Sequence, residues 1–184
     1  MWGLVEDNAI TKIINQPRGM VIGDTQYSRN IFSSWSEAER NAIGVYTIVD
    51  DNSNKKDDSC YTNTDVSYAF ADGEVTASFG TATPKELSGL KTEKKRIIKQ
   101  QASSLLTAND WYVIKATEVE SYSVPSAVTT FRADVRTKSN TMETAIDNAS
   151  DVDALATLYE YVNTGTEENP VMERPLGEFP TLEI

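Results

Sequence analysis

Chemistry at protein sites is carried chiefly by histidine, cysteine and the carboxylates, and this chain is lopsided in them: 28 Asp and Glu, one cysteine, no histidine. A histidine triad, a histidine general base and a His-rich metal site are therefore impossible. A lone Cys60 forms neither an intramolecular disulfide nor a Cys-x-x-Cys metal site. Beside Tyr61, after an acidic loop, it reads as a plain buried or half-buried thiol. The carboxylates are most concentrated in Asp50-Asp51-Asn52-Ser53-Asn54-Lys55-Lys56-Asp57-Asp58. A calcium loop beginning at Asp50 would place Asn52 and Asn54 at ligand positions. It would then need glycine at its sixth place and glutamate at its twelfth, which hold Lys55 and Tyr61. The loop is read as a solvated turn, and no metal or cofactor site is expected. No phosphate loop, dinucleotide fingerprint or nucleophile elbow occurs, and no carboxylate pair stands out for acid–base work. The expectation is that the protein is not an enzyme.

The elements that carry these residues follow from periodicity and turn chemistry. Asp7-Asn8, Gly23-Asp24 and Asp72-Gly73 each lie between β-prone runs and predict hairpins, the last most strongly. Ser36 and Glu39 form a capping box, and Gly44 suits a left-handed stop, so a short helix is expected over 37–43. Val45 to Val49 is β-branched and reads as a strand. From Pro84 the pattern turns helical. Leu87, Leu90, Ile97, Ile98 and Leu105 share one face, with Lys91, Lys95 and Lys99 on a flank. A second short helix carries Trp111 and Ile114, which are expected to enter the core. A third opens at Pro125 with Val128, Phe131, Val135, Met142 and Ile146 in a stripe, and a fourth is expected over 151–162 with Asp151 as its cap. Pro170, Pro175 and Pro180 rule out regular helix near the end. The fold class is thus α+β. An antiparallel β-rich half of hairpins plus one short helix spans 1–80, a small helical hairpin or bundle spans 84–163, and an extended tail spans 164–184.

The formal charge of −11 is unevenly spread. Residues 85–100 hold six basic against two acidic residues, and 139–184 hold ten acidic residues against Arg174. The simplest reading sets the basic helix against the acidic C-terminal helices. The acidic balance argues against nucleic acid as a partner. The longest apolar run is far below the roughly 20 residues that span a membrane, so no membrane insertion is expected. The opening Met1-Trp2-Gly3-Leu4-Val5-Glu6 does not read as a secretory signal, which leaves synthesis in the cytoplasm as the expectation.

Two segments are more specific. Leu105-Leu106 is followed by Asp110-Trp111, Val113-Ile114 and Glu118, then a Val124-Pro125 break, then Phe131-Arg132 and Arg136. This resembles the helical C-terminal pattern of tailed-bacteriophage tail-fibre and tail-fibre assembly proteins. The opening, with Ile22-Gly23-Asp24-Thr25-Gln26-Tyr27, Arg29-Asn30-Ile31-Phe32 and Trp35-Ser36, is similar to the N-terminal region of phage tail-associated proteins. The resemblance implies a structural virion protein, made in the host cytoplasm and attached to the tail or its fibres. It implies other copies of itself, other tail proteins and a bacterial surface as partners, and carries no catalytic residues over. The alternatives are a tail-fibre assembly chaperone and, more remotely, a glycan hydrolase acting on the host envelope. Asp110 is expected to cap its helix, and Arg132 and Arg136 to meet carboxylates such as Glu118. Interfaces are expected at Trp2 and Leu4, on an N-terminal strand read as a sheet edge, and at Val171, Met172, Leu176 and Phe179 in the tail. Truncation after Gly165 is expected to leave the helices intact.

Overall fold

The computed structural model describes residues 1–183. The chain divides into two compact units, one ending at Thr83 and one beginning at Pro84.

In the first unit, β1 (Trp2–Glu6) and β2 (Ala9–Ile14) form a hairpin, β3 (Met20–Ile22) and β4 (Thr25–Tyr27) a second, and the short helices α1 (Ile31–Ser34) and α2 (Glu37–Asn41) follow. Then come β5 (Val45–Asp51), β6 (Tyr61–Thr62), β7 (Val66–Ala71), β8 (Glu74–Phe79) and β9 (Thr83–Pro84). The main sheet has the order β2-β1-β5-β8-β7. All its pairs are antiparallel except β5 with β8, which run parallel. The turns are those the residue types require. Asp7 and Asn8, and Asp72 and Gly73, all have φ between 50° and 79°, the backbone of two-residue type I′ hairpins. The Ser36–Glu39 capping box is complete, with the Glu39 carboxylate accepting from the Ser36 amide at 2.7 Å.

Alternation splits the sheet residues between two faces. Leu4, Ile14 and Val45 face a core shared with Met20 and Ile31 and rimmed by Trp2, Phe32 and Trp35. Ile48, Val75 and Ala77 face the other way, with Val5, Ile10, Ile13, Tyr46, Tyr68 and Phe70 around them. Ile10 and Ile13 differ in parity yet share this second face. The register explains it: Leu4 pairs with Lys12 but Val5 pairs with Ile10, so Thr11 is the extra residue of a β-bulge. The bulge also strengthens twist, and side chains of β2 and β7, the two edges, meet over the Ile48–Val75 cluster. The sheet is curled.

In the second unit, α3 (Leu87–Thr107), α4 (Asp110–Glu118), α5 (Ser126–Asn148) and α6 (Val152–Thr157) precede a hairpin of β10 (Val162–Asn163) and β11 (Met172–Glu173). The α3 helix begins at Leu87 because the Glu86 carboxylate caps the Ser88 and Gly89 amides at 2.8 and 2.6 Å, while Pro84 lies in β9. The α5 stripe Val128, Phe131, Val135, Ser139, Met142, Ile146 is buried throughout. Helices α3 and α5 pack antiparallel, since Lys95 meets Asp147 at 2.7 Å, Lys99 meets Glu143 at 3.2 Å, and Arg132 reaches Leu106. The basic helix thus faces acidic residues of its own unit. Asp151 caps α6 through the Ala154 amide at 2.8 Å, but α6 ends at Thr157 rather than 162. Tyr159 donates its amide to Ala156, and Val162 belongs to β10. Beyond β11 the tail lacks regular structure but returns to the helices. Leu176 is 2% exposed among Ile98, Met142, Ile146 and Leu155, and its amide donates to the Leu158 carbonyl at 3.0 Å.

Candidate functional site

The N-terminal strand is not an edge. Strand β1 lies between β2 and β5, so its backbone groups are engaged on both sides, and Leu4 is 5% exposed in the core. Trp2 is half-buried against Phe32, ring centroids 4.6 Å apart. Both residues pack within the chain, which corrects the reading of their strand as a sheet edge. Leu176 and Phe179 of the tail are likewise engaged within the chain. Both pack on α3 and α5, with Phe179 contributing to two apolar clusters.

Val171 and Met172 stand differently, at 48% and 55% exposed. Val162 on the facing strand and Tyr161 just before it are exposed alike. These four apolar residues sit on a hairpin that is locally well tied. Asn163 pairs with Met172 across the ladder, and its Oδ1 accepts from the Gly165 and Val171 amides at 3.0 and 2.9 Å. The Thr164 amide donates to the Val171 carbonyl at 2.8 Å, and a tight turn joins Thr166 to Asn169. At the base, the Tyr161 hydroxyl donates to Glu178 at 2.6 Å, a bond that pushes the phenol pKa up. The sequence signal was present: two apolar pairs flank the turn-prone run from Asn163 to Pro170. It was hidden because Tyr161 and Val162 extend the helical period of Leu155 and Tyr159.

Helix α4 is the other exposed apolar surface. It has no buried residue; Trp111 and Ile114, one turn apart, are 50% and 55% exposed, and Val113 is exposed as well. The expectation that Trp111 and Ile114 enter the core is corrected. A nine-residue helix has little stripe to bury, and here a polar tie holds it. Asp110 does not cap the helix, since Asn109 holds that place without a side-chain bond. Instead Asp110 pairs with Arg132 of α5 at 2.8 Å, and Glu118 is not the partner. Arg132 also donates to the Leu106 carbonyl at 2.7 Å. Trp111 stacks on Tyr112, ring centroids 3.7 Å apart.

Between α3 and α5, beside this corner, lies a polar cleft of about 520 Å³ lined in part by Lys99, Arg132 and Arg136. Elsewhere several titratable groups serve local structure. In the acidic loop, Asp51 accepts from the Ser53 amide at 2.9 Å and Asp57 from the Ser59 amide at 2.8 Å. Asn63 bridges the Lys56 backbone and Asp58. The Asp51 carboxyl is held below its usual range by the Ser53 bonds. Cys60 is 1% exposed. No helix among the described residues is long and apolar enough to cross a membrane. The exposed apolar and cationic surfaces of the second unit are therefore the β10–β11 hairpin, the α4 face and the cleft. No family model, curated protein or solved structure matches the chain.

Proposed function

We propose that this protein works by being held against other proteins, as a structural component of a tailed-phage virion associated with the tail or its fibres. One observation carries the contact reading: Tyr161, Val162, Val171 and Met172 are exposed together on one hairpin whose backbone is fixed by Asn163. By the ladder register Val162 and Val171 share one face of the hairpin and Tyr161 and Met172 the other, so each face of an ordered scaffold offers two exposed apolar side chains to a partner. The tail association rests on the resemblance of the Leu105–Arg136 segment and the opening segment to phage tail proteins. Mass spectrometry of washed virions from an infection expressing this chain should find it in stoichiometric amount with tail proteins. Its absence from the particles overturns the structural reading.

A second reading, a fibre-assembly chaperone, is favoured by α4. The exposed Trp111 and Ile114 fall inside the segment that resembles assembly proteins. That reading predicts fibre polypeptide that is made but misfolded when the gene is deleted, and normal fibres in the deletion would sink it.

A further inference from the structure

The hairpin ends in two adjacent carboxylates. Thr166 and Asn169 close its turn, through the Thr166 amide on the Asn169 carbonyl at 3.2 Å and the Asn169 amide on the Thr166 hydroxyl at 3.1 Å. Glu167 and Glu168 therefore form the apex, both exposed, and neither carboxylate has an ion pair or hydrogen bond among the described residues. Two like charges side by side on a fixed turn repel each other, and a cation brought to them relieves that repulsion.

The cleft between α3 and α5 offers such a cation. Arg132 is already engaged by Asp110 and Leu106, and Lys99 by Glu143. Arg136 is not: its one hydrogen bond goes to the Arg132 carbonyl at 3.0 Å, and no carboxylate meets it among the described residues. Ser103, Thr107 and Asn140 line the same cleft with neutral donors whose side chains make no hydrogen bond among the described residues. A guanidinium with free N–H groups amid neutral donors suits a carboxylate. No residue of the hairpin lines the cleft of its own chain.

We propose that the Glu167–Glu168 tip of one copy docks into the Arg136 cleft of a second copy, a head-to-tail contact that repeats from copy to copy. This rests on the assembly reading above and names its partner. Tip and cleft are different patches, so the contact is heterologous and builds a ring or a filament rather than a two-fold dimer. The net charge of −11 makes copies repel at long range. Association should therefore be measured near 0.15 M salt, where the screening length is about 8 Å and only contact pairs persist.

The test is a charge swap followed by sedimentation velocity on the full chain, with circular dichroism to check folding. Arg136→Glu alone and Glu167→Lys/Glu168→Lys alone should each stay monomeric where the unaltered protein associates, weakening association roughly tenfold or more. An equimolar mixture of the two variants should associate again, because each supplies the patch the other has lost. Milder Arg136→Gln and Glu167→Gln/Glu168→Gln variants should each weaken association, and mixing them should restore a single contact, the intact tip of one on the intact cleft of the other, so that association stops at a pair. If the unaltered protein associates and the swaps leave it unchanged, or mixing fails to restore folded variants, the tip–cleft contact is overturned while the assembly reading stands. If the unaltered protein remains monomeric at every concentration reached, the self-contact is overturned, and virion mass spectrometry still decides the assembly reading on its own.

Discussion

Arg132 and Asp110 form the bond that sets the α3–α4 corner. The Arg132 Nη2 lies 2.8 Å from Asp110 Oδ1, while its Nη1 donates to the Leu106 carbonyl at 2.7 Å. One guanidinium from α5 thus satisfies a carbonyl at the C-terminal end of α3 and the carboxylate in the first turn of α4. Its side chain is largely buried, so this is a charge-assisted pair with reduced solvent screening. Arg132→Ala should destabilise the helical unit by about 1.5–3 kcal/mol, read as a lower midpoint in urea unfolding. Arg132→Lys should recover only a minor part, since an ammonium cannot span both acceptors as the planar fork does. Equal stability of the lysine variant and the original would refute the two-acceptor role.

Leu176 and Met172 are four residues apart and should behave oppositely. Leu176→Ala removes a buried side chain from the Met142–Ile146–Leu155 core and should cost about 2–5 kcal/mol. Met172→Ser, on an exposed strand, should change stability by no more than about 0.5 kcal/mol. Truncation after Gly165 deletes Leu176 and Phe179 together. It should lower the thermal midpoint of the helices, the reverse of what a dispensable tail would do.

Gly44 and Gly73 share φ +79° but not their surroundings. A Cβ on Gly44 would collide with the Val5 carbonyl, across the pairing in which the Val5 amide donates to the Gly44 carbonyl at 2.8 Å. A Cβ on Gly73 meets nothing. Gly73→Ala should cost about 1–2 kcal/mol for the left-handed backbone alone. Gly44→Ala should cost clearly more, with loss of amide-exchange protection at Val5. Equal costs would show that the Val5 approach gives way freely.

Acid should weaken the helix starts. Glu39, Glu86 and Asp151 each have a carboxyl pKa below the ordinary 4.5 or 3.8. The causes are hydrogen bonds to the Ser36 hydroxyl and amide, to the Gly89 and Ser88 amides, and to the Ala154 amide. Because the folded values are the lower ones, the unfolded chain takes up protons first as pH falls. The stabilisation is complete above the unfolded values and is lost as pH drops through the folded ones. Glu86→Gln and Asp151→Asn should therefore flatten the acid limb of a stability-against-pH curve and leave its neutral region nearly level. An unchanged acid limb would show that these caps do not contribute.

Much of the local structure was legible in the residues, because it depends on neighbours in the chain. Turn dipeptides with positive φ, the Ser36–Glu39 box, the Asp151 cap and the α5 stripe are interactions across one to four positions. They fixed the α+β class and the helix starts after Pro125 and Asp151. The exclusions drawn from a chain without histidine are of the same kind. Strand order is not local. Nothing within Trp2–Glu6 tells whether that strand has one neighbour or two, and pairing with β5 turned an expected edge into an interior strand. Nor does an apolar residue state its own burial. Trp111 and Leu176 look alike as candidates for a core, yet α4 is held by a guanidinium and leaves Trp111 in water, while the tail folds back and seals Leu176 between α3, α5 and α6. Composition set the supply of contacts; the pairing of distant segments decided which apolar side chains the chain buries and which remain for a partner.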